Sequence, residues 1–401
     1  MPLLFTKDTH HHSLNKHFSS ILSWLCIPLL IVVLLLPFNG ANAQQAEPEF
    51  SWFGDFRPGF SYVSTNDRAG ETSDESTFNT RLRVGGSYQI NESLIFQGRI
   101  ASRFSSNQDD LELLLEDHTG GSGSYPAGTI TFDQLFLRWQ LNDAVRLTAG
   151  RFQARYPLAG FIPKGVDRYY SANMSISHTD GLWLDWNLNQ DWKLHAVVSH
   201  NGDEGSSHAG RAPLDFGTND SSRFSFFTNL EHRDTGGRWV QREISLSYTP
   251  GLVLRDGERS GHLAASTRLM MRLPLDFGGV DYWAGGELGF APNTPEGGID
   301  VNDSRTLFDE GALAWQVSAY ANGIAEDHQL GILYGQVEPD WLISSSFRPN
   351  NTLAEARYRW NILRPLTFDF RVRYRTDLFT LESVDESRQD FDFYTRFTYK
   401  F

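Results

Sequence analysis

The sequence predicts an all-β protein, a transmembrane antiparallel β-barrel of sixteen strands, with fourteen and eighteen as the neighbouring counts. Three observations predict it. Apolar and polar residues alternate with period two over segments of about ten to fourteen residues, close to what a strand tilted about 45° needs to cross a bilayer. Minimal turns alternate with long polar connections, which puts short periplasmic turns at one rim and long extracellular loops at the other. The chain ends on an alternating strand whose last residue is the aromatic Phe401.

The amino terminus comes first. Lys16 and His17 precede the apolar run Ile21 to Leu36, and Ala41, Asn42 and Ala43 form a small-x-small pattern. Residues 1–43 therefore read as a cleaved signal peptide and 44–401 as the barrel. The run falls short of the roughly 20 residues a spanning helix needs, and Pro28 interrupts it. Cleavage removes Lys7, Lys16 and Asp8, taking the charges from 35 basic and 49 acidic to 33 and 48, so nucleic-acid binding is disfavoured. The single cysteine, Cys26, leaves with the signal, as do His10, His11 and His12. No disulfide framework is expected in the mature part. A mean hydropathy of −0.39 and the lack of a second apolar run of 18 residues exclude a helical membrane protein. Polar on average yet 13% aromatic is what a wet lumen with aromatic girdles requires.

The strands follow in order. From Phe78, the residues Leu82, Val84, Tyr88 and Ile90 share one face while Asn79, Arg81, Arg83 and Gln89 share the other; after Asn91 and Glu92 the pattern resumes through Leu94, Phe96, Ile100 and Phe104. That is a hairpin with a minimal turn. It recurs around Asn142-Asp143 and around Asn189 to Asp191, and long polar connections such as 105–128, 157–177, 201–221 and 291–309 separate the hairpins. With both ends periplasmic, strands are expected near 50–63, 77–90, 93–105, 129–141, 144–155, 178–188, 192–200, 222–232, 238–249, 262–273, 279–290, 311–321, 326–337, 352–361, 365–377 and 390–401. Residues 338–351 read as a loop, because a seventeenth strand would leave one terminus on the wrong side.

The last strand sets Phe391, Phe393, Phe397, Tyr399 and Phe401 on one face and Asp392, Tyr394, Arg396 and Lys400 on the other. It resembles the terminal strand of bacterial outer-membrane porins of the sixteen-stranded type. The run Leu147 to Phe152, after a strand opening Phe132-Asp133-Gln134, is similar to the matching hairpin of phosphate-selective porins. The resemblance implies a location in the outer membrane of a Gram-negative bacterium and a homotrimer. It implies contact with outer-membrane lipid and lipopolysaccharide, and Phe401 as the insertion signal read by the barrel-assembly machinery. It transfers no ligand residues.

Strand parity sorts the charges. Arg81, Arg83, Arg99, Arg103, Arg138 and Arg146 near the start, and Arg357, Arg359, Arg371, Arg373, Arg375 and Arg396 near the end, point inward. Closure brings the two groups onto one half of the wall. Inward acids, Asp185, Glu243, Asp281 and Glu287, fall on the opposite arc. Two readings stand: a transverse field across the pore, which would set ion preference, or arginines paired locally with Asp55, Asp369 and Asp392 in an ordinary wet lumen. Lys164 and Arg168, with Tyr169 and Tyr170, sit on the connection after the fifth strand, where such porins fold a constriction loop inward; these residues either join the basic wall or face the medium.

The acidic run Asp109, Asp110, Glu112, Glu116 and Asp117 reads as a solvated loop, with a short helix as the alternative. There is no G-x-S-x-G elbow and no H-E-x-x-H pair, so no enzyme, metal or cofactor is expected. The function expected is passive diffusion of small hydrophilic, preferentially anionic, solutes. A channel specific for phosphate, a carboxylate or an acidic oligosaccharide is the alternative, and a plugged barrel acting as adhesin or hydrolase ranks third.

Overall fold

The computed structural model describes residues 49–107, 112–113, 128–156, 158–162, 164–166, 179–201, 223–234, 236–253, 259–292, 311–344, 347–381 and 386–401. The expected signal peptide, Arg168, Tyr169 and Tyr170 lie outside the described residues.

Sixteen long strands, each antiparallel to its neighbours, close into one ring. They are β1 (Glu49–Asn66), β2 (Thr72–Asn91), β3 (Leu94–Ser105), β5 (Thr129–Gln140), β6 (Val145–Phe152), β7 (Thr179–Asn187), β8 (Trp192–Asn201), β9 (Arg223–Arg233), β10 (Trp239–Val253), β11 (Arg259–Arg272), β12 (Asp281–Ala291), β13 (Ala312–Ile324), β14 (His328–Val337), β15 (Asn351–Leu363), β16 (Leu366–Asp377) and β17 (Gln389–Lys400). A two-residue piece, β4 (Glu112–Leu113), runs parallel to Thr129 and Ile130. These two residues are therefore strand, not the short helix the sequence also allowed. Closure is made by β1, in which Phe56 stands opposite both Leu82 of β2 and Tyr399 of β17. No helix occurs among the described residues.

The short turns have a common chemical cause. Asn91, Asn142, Asn189 and Asp234 each open a turn and accept, through the side-chain oxygen, the backbone amides two and three residues on, at 2.8–3.0 Å. An Asx oxygen in that position replaces a backbone acceptor, which favours a tight reversal over continued strand. Each expected hairpin is present. The first is longer than expected: β1 and β2 stay paired from Glu49–Gln89 to Asn66–Thr72, so residues 64–76 are mostly strand.

The two faces differ as a bilayer demands. On β2, Phe78, Leu82, Val84 and Tyr88 are 38–52% exposed, while Asn79, Arg81 and Arg83 between them are at most 7% exposed. Similar apolar side chains project outward from every quarter of the ring, including Leu137, Trp186, Ile244, Leu288, Ile332, Trp360 and Phe397. An apolar belt of this extent is costly in water and is the face a barrel turns to lipid.

Candidate functional site: the lumen and its inserted loops

The lumen is not an empty cylinder. After β6 the described residues 153–156, 158–162 and 164–166 of the third connection, L3, turn inward and reach the far wall. Its Leu158, Phe161, Ile162 and Val166 are buried, and Phe161 packs edge-on to Tyr320 of β13 with ring centroids 5.7 Å apart. The seventh loop, L7, of which residues 338–344 and 347–350 are described, enters from the other side and buries Trp341, Leu342, Ile343 and Phe347. The loops are stitched together: Trp341 Nε1 donates to Val166 O at 2.7 Å and Ser344 Oγ donates to Gly165 O at 3.0 Å. Of residues 338–351, expected as a loop, the described residues 338–344 and 347–350 are loop with a packed interior position, and Asn351 opens β15.

The wall is shaped to receive them. Inward positions of β11 to β14 carry Ala264, Gly289, Ala291, Ala312, Ala314, Gly331 and Gly335. A Cβ on Gly289 would lie 2.5 Å from the Trp341 ring, and one on Gly335 would lie 2.9 Å from Phe347. Larger side chains there would fill the space the loops occupy. The four alanines join Leu158, Phe161, Ile162 and Val166 of L3 and Trp341, Ile343 and Phe347 of L7 in one apolar cluster inside the barrel.

The four expected inward acids lie on inward positions of β7, β10 and β12, but they do not face the arginines across open water. Glu243 and Glu287 are both bridged by Arg268 of β11, with Arg268 Nη1 2.9 Å from Glu243 Oε2. Glu287 Oε2 also accepts Val166 N at 2.7 Å and Gln316 Nε2 at 2.6 Å, beneath L3. Asp185 accepts Arg146 Nε at 2.9 Å and contacts His195, and Asp281 pairs with Arg272 at 2.9 Å. The expected transverse field is corrected on this arc. Its acids are paired locally, Glu243 and Glu287 through Arg268, which stands directly opposite Glu287 in the sheet and which the parity reading did not bring in.

All twelve expected arginines lie on β15, β16, β17, β2, β3, β5 and β6, which with β1 are consecutive around the ring. Their pairing has a repeated stoichiometry. Asp55 takes Arg57 and Arg81 at 2.8 Å each; Asp133 takes Arg83 at 2.7 Å and Arg99 at 2.8 Å. Asp369 takes Arg359 at 2.9 Å and Arg396 at 2.5 Å, and Asp392 takes Arg371 and Arg373 at 2.5 Å each. Eight arginines thus share four aspartates, and each unit keeps one net positive charge. A fifth unit sets Glu355 between Arg357 at 2.7 Å and Lys164 of L3 at 4.0 Å. Lys164 is buried against the wall and does not face the medium. Of the others, Arg103 donates to Asn79 at 3.1 Å, Arg138 lies over the Phe136 ring at 4.9 Å, and Arg375 follows Arg371 and Arg373 on the inward face of β16.

Three members were missed by sequence parity. Asp133 should face lipid, since Leu135, Leu137 and Trp139 do, but Arg99 pairs with Gln134 while the next residue, Ile100, pairs with Phe132. Asp133 is the extra residue of that bulge, which turns it inward and buries it. Arg57 was hidden beside Pro58, although it shares parity with Asp55. Arg155, at the base of L3, joins the same network through Gln153, whose Oε1 accepts Arg155 at 2.6 Å and Arg99 at 2.9 Å.

No protein-family model matches the chain, and no curated protein matches it in sequence. Solved structures do match in fold. OprB of Pseudomonas putida superposes with a TM-score of 0.56 at 11% identity, covering 88% of this chain and 94% of that one. An anion-selective porin from Comamonas acidovorans gives 0.53 at 10% identity, covering 88% and 100%. Pseudomonas aeruginosa OccK2 (OpdF), solved in complex with glucuronate, gives 0.51 at 12% identity, covering 90% and 99%. At these identities the likeness is one of fold: the chain shares the sixteen-stranded porin barrel.

Proposed function

We propose that the chain is an outer-membrane pore of a Gram-negative bacterium, through which small hydrophilic solutes diffuse, with anions preferred. The observation that carries the preference is the stoichiometry of the basic half-wall, where each of four aspartates serves two arginines and leaves a surplus guanidinium charge on the inward face of the barrel. Charge of one sign on a pore wall concentrates the opposite ion and raises its share of the current. The fold likeness supports the pore; the ion preference rests on the arginines. In this reading residues 1–43 are removed on export, Phe401 is read by the barrel-assembly machinery, three copies associate, and lipid and lipopolysaccharide surround them. No catalytic step is assigned.

The test is reconstitution of the refolded protein. Planar bilayers should show stable conductance steps, and proteoliposomes should take up small anionic sugars faster than cationic ones of equal size. Bilayers without steps would refute the pore. A second reading, a channel selective for one anionic solute, is favoured by the narrowing that two inserted loops impose; micromolar block of the current by a single anion class would establish it, and equal passage of all small anions would remove it.

A further inference from the structure

We propose that His195 is a protonation-dependent clamp at the root of L3, so that the opening of the constriction responds to pH; this rests on the reading of the lumen as a pore. His195 is an inward residue of β8 and is 5% exposed. Its two ring nitrogens contact carboxylates on the strands to either side: Nδ1 is 2.5 Å from Asp185 Oδ1 of β7 and Nε2 is 3.0 Å from Glu231 Oε2 of β9. Only the imidazolium carries two N–H groups, so only the charged ring donates to both carboxylates at once. After loss of one proton, a bare ring nitrogen faces a carboxylate oxygen, lone pair against lone pair, and that contact must open.

The groups around the ring define the second state. Asp185 is also held by Arg146 of β6, and Glu231 by Arg233 on its own strand, so each carboxylate has a cationic partner besides the histidine. Lys193, also on β8, stands opposite Glu231 in register, and Glu243 and Arg268 lie beyond it on β10 and β11. Trp183 Nε1 is 3.4 Å from His195 Nδ1. When Nδ1 gives up its proton, that indole N–H is the donor ready to replace Asp185 as its partner. The ring thus has two sets of partners, selected by one proton.

Tyr156 carries the change to L3. Its ring lies 4.9 Å from that of His195, 4.9 Å from Phe227 and 5.9 Å from Trp183, and its carbonyl accepts Arg268. From this anchored residue the loop departs to Ala159, whose amide donates to Gln241, and on to Val166 over Glu287. A ring that trades Asp185 for Trp183 shifts the surface on which Tyr156 rests. The clamp is complete in the protonated state and released as pH rises.

The test is single-channel recording of the full mature chain between about pH 5 and 8, the range over which imidazole charge changes. The frequency of brief current interruptions should change with pH by up to about tenfold per unit, the limit for one proton. In His195→Gln it should be flat and equal to the wild-type value at high pH. An unchanged pH response in His195→Gln would overturn the clamp while leaving the pore intact. Hydrogen exchange of peptides covering 153–166, compared between wild type and His195→Gln at each pH, gives a readout that needs no current. Protection that falls with pH in the wild type alone supports the clamp, and identical pH profiles overturn it. A wild type that conducts nothing would sink the pore reading, and the exchange profile would then still decide the clamp.

Discussion

Replacing Trp341 by alanine tests whether the inserted loops are held by their own core. The indole is fully buried, its ring lies over Gly289, and its N–H donates to Val166 O at 2.7 Å. Removing a buried Trp side chain costs about 3–5 kcal/mol, and leaving a buried carbonyl without its donor adds about 1–3 kcal/mol. At about 1.4 kcal/mol per tenfold, even the lower figure raises the ratio of undocked to docked loops by about a hundredfold. The strand ladder is untouched, so the barrel should remain folded by its heat-dependent migration in gels. Single-channel records should show larger and noisier conductance. Trp52→Ala is the control, because Trp52 is 71% exposed on the outward face of β1. Conductance and noise in Trp341→Ala equal to wild type would refute the claim that this contact holds L3 and L7 in the lumen.

Gly54→Val should block closure, since a Cβ there would lie 2.4 Å from both Arg83 O and the Phe401 ring at the seam where Gly54 N donates to Phe401 O; the folded gel band should be lost, and normal yield would contradict the seam. Asp133→Asn should leave Arg83 and Arg99 without their shared charge, costing about 3–5 kcal/mol as for other buried pairs broken on one side. Urea unfolding should show the loss, and an unchanged midpoint would contradict the pairing. Gly331→Leu places a side chain where a Cβ already lies 3.0 Å from Ile162 and 3.1 Å from Phe161, so it should displace L3 and raise the exchange of residues 158–166.

The barrel was legible because period two and turn chemistry are local. Asn91, Asn142 and Asn189 mark turns by their own side chains, and a residue's face follows from counting along its strand. What counting cannot see is a change of count. Asp133 was lost to the bulge opposite Arg99, and Arg268 was missed although it shares parity with Met270 and Ala264 on the inward face. The inserted loops were half visible. The position of L3 was expected from the resemblance, but L7 was expected only as a connection. Its signal was present in two places: Trp341, Leu342, Ile343 and Phe347 are too apolar for an exposed loop, and glycine and alanine recur at inward positions of β12 to β14, where a wet lumen would carry polar side chains. Joining those signals requires contacts between distant segments, which no periodicity encodes.

The reversal potential of the refolded pore in a potassium chloride gradient bears most directly on the arginine half-wall. The surplus of guanidinium over carboxylate predicts a chloride-to-potassium permeability ratio above one, falling toward one in the triple variant Arg371→Gln, Arg373→Gln, Arg375→Gln. A ratio below one in the wild type would contradict the account.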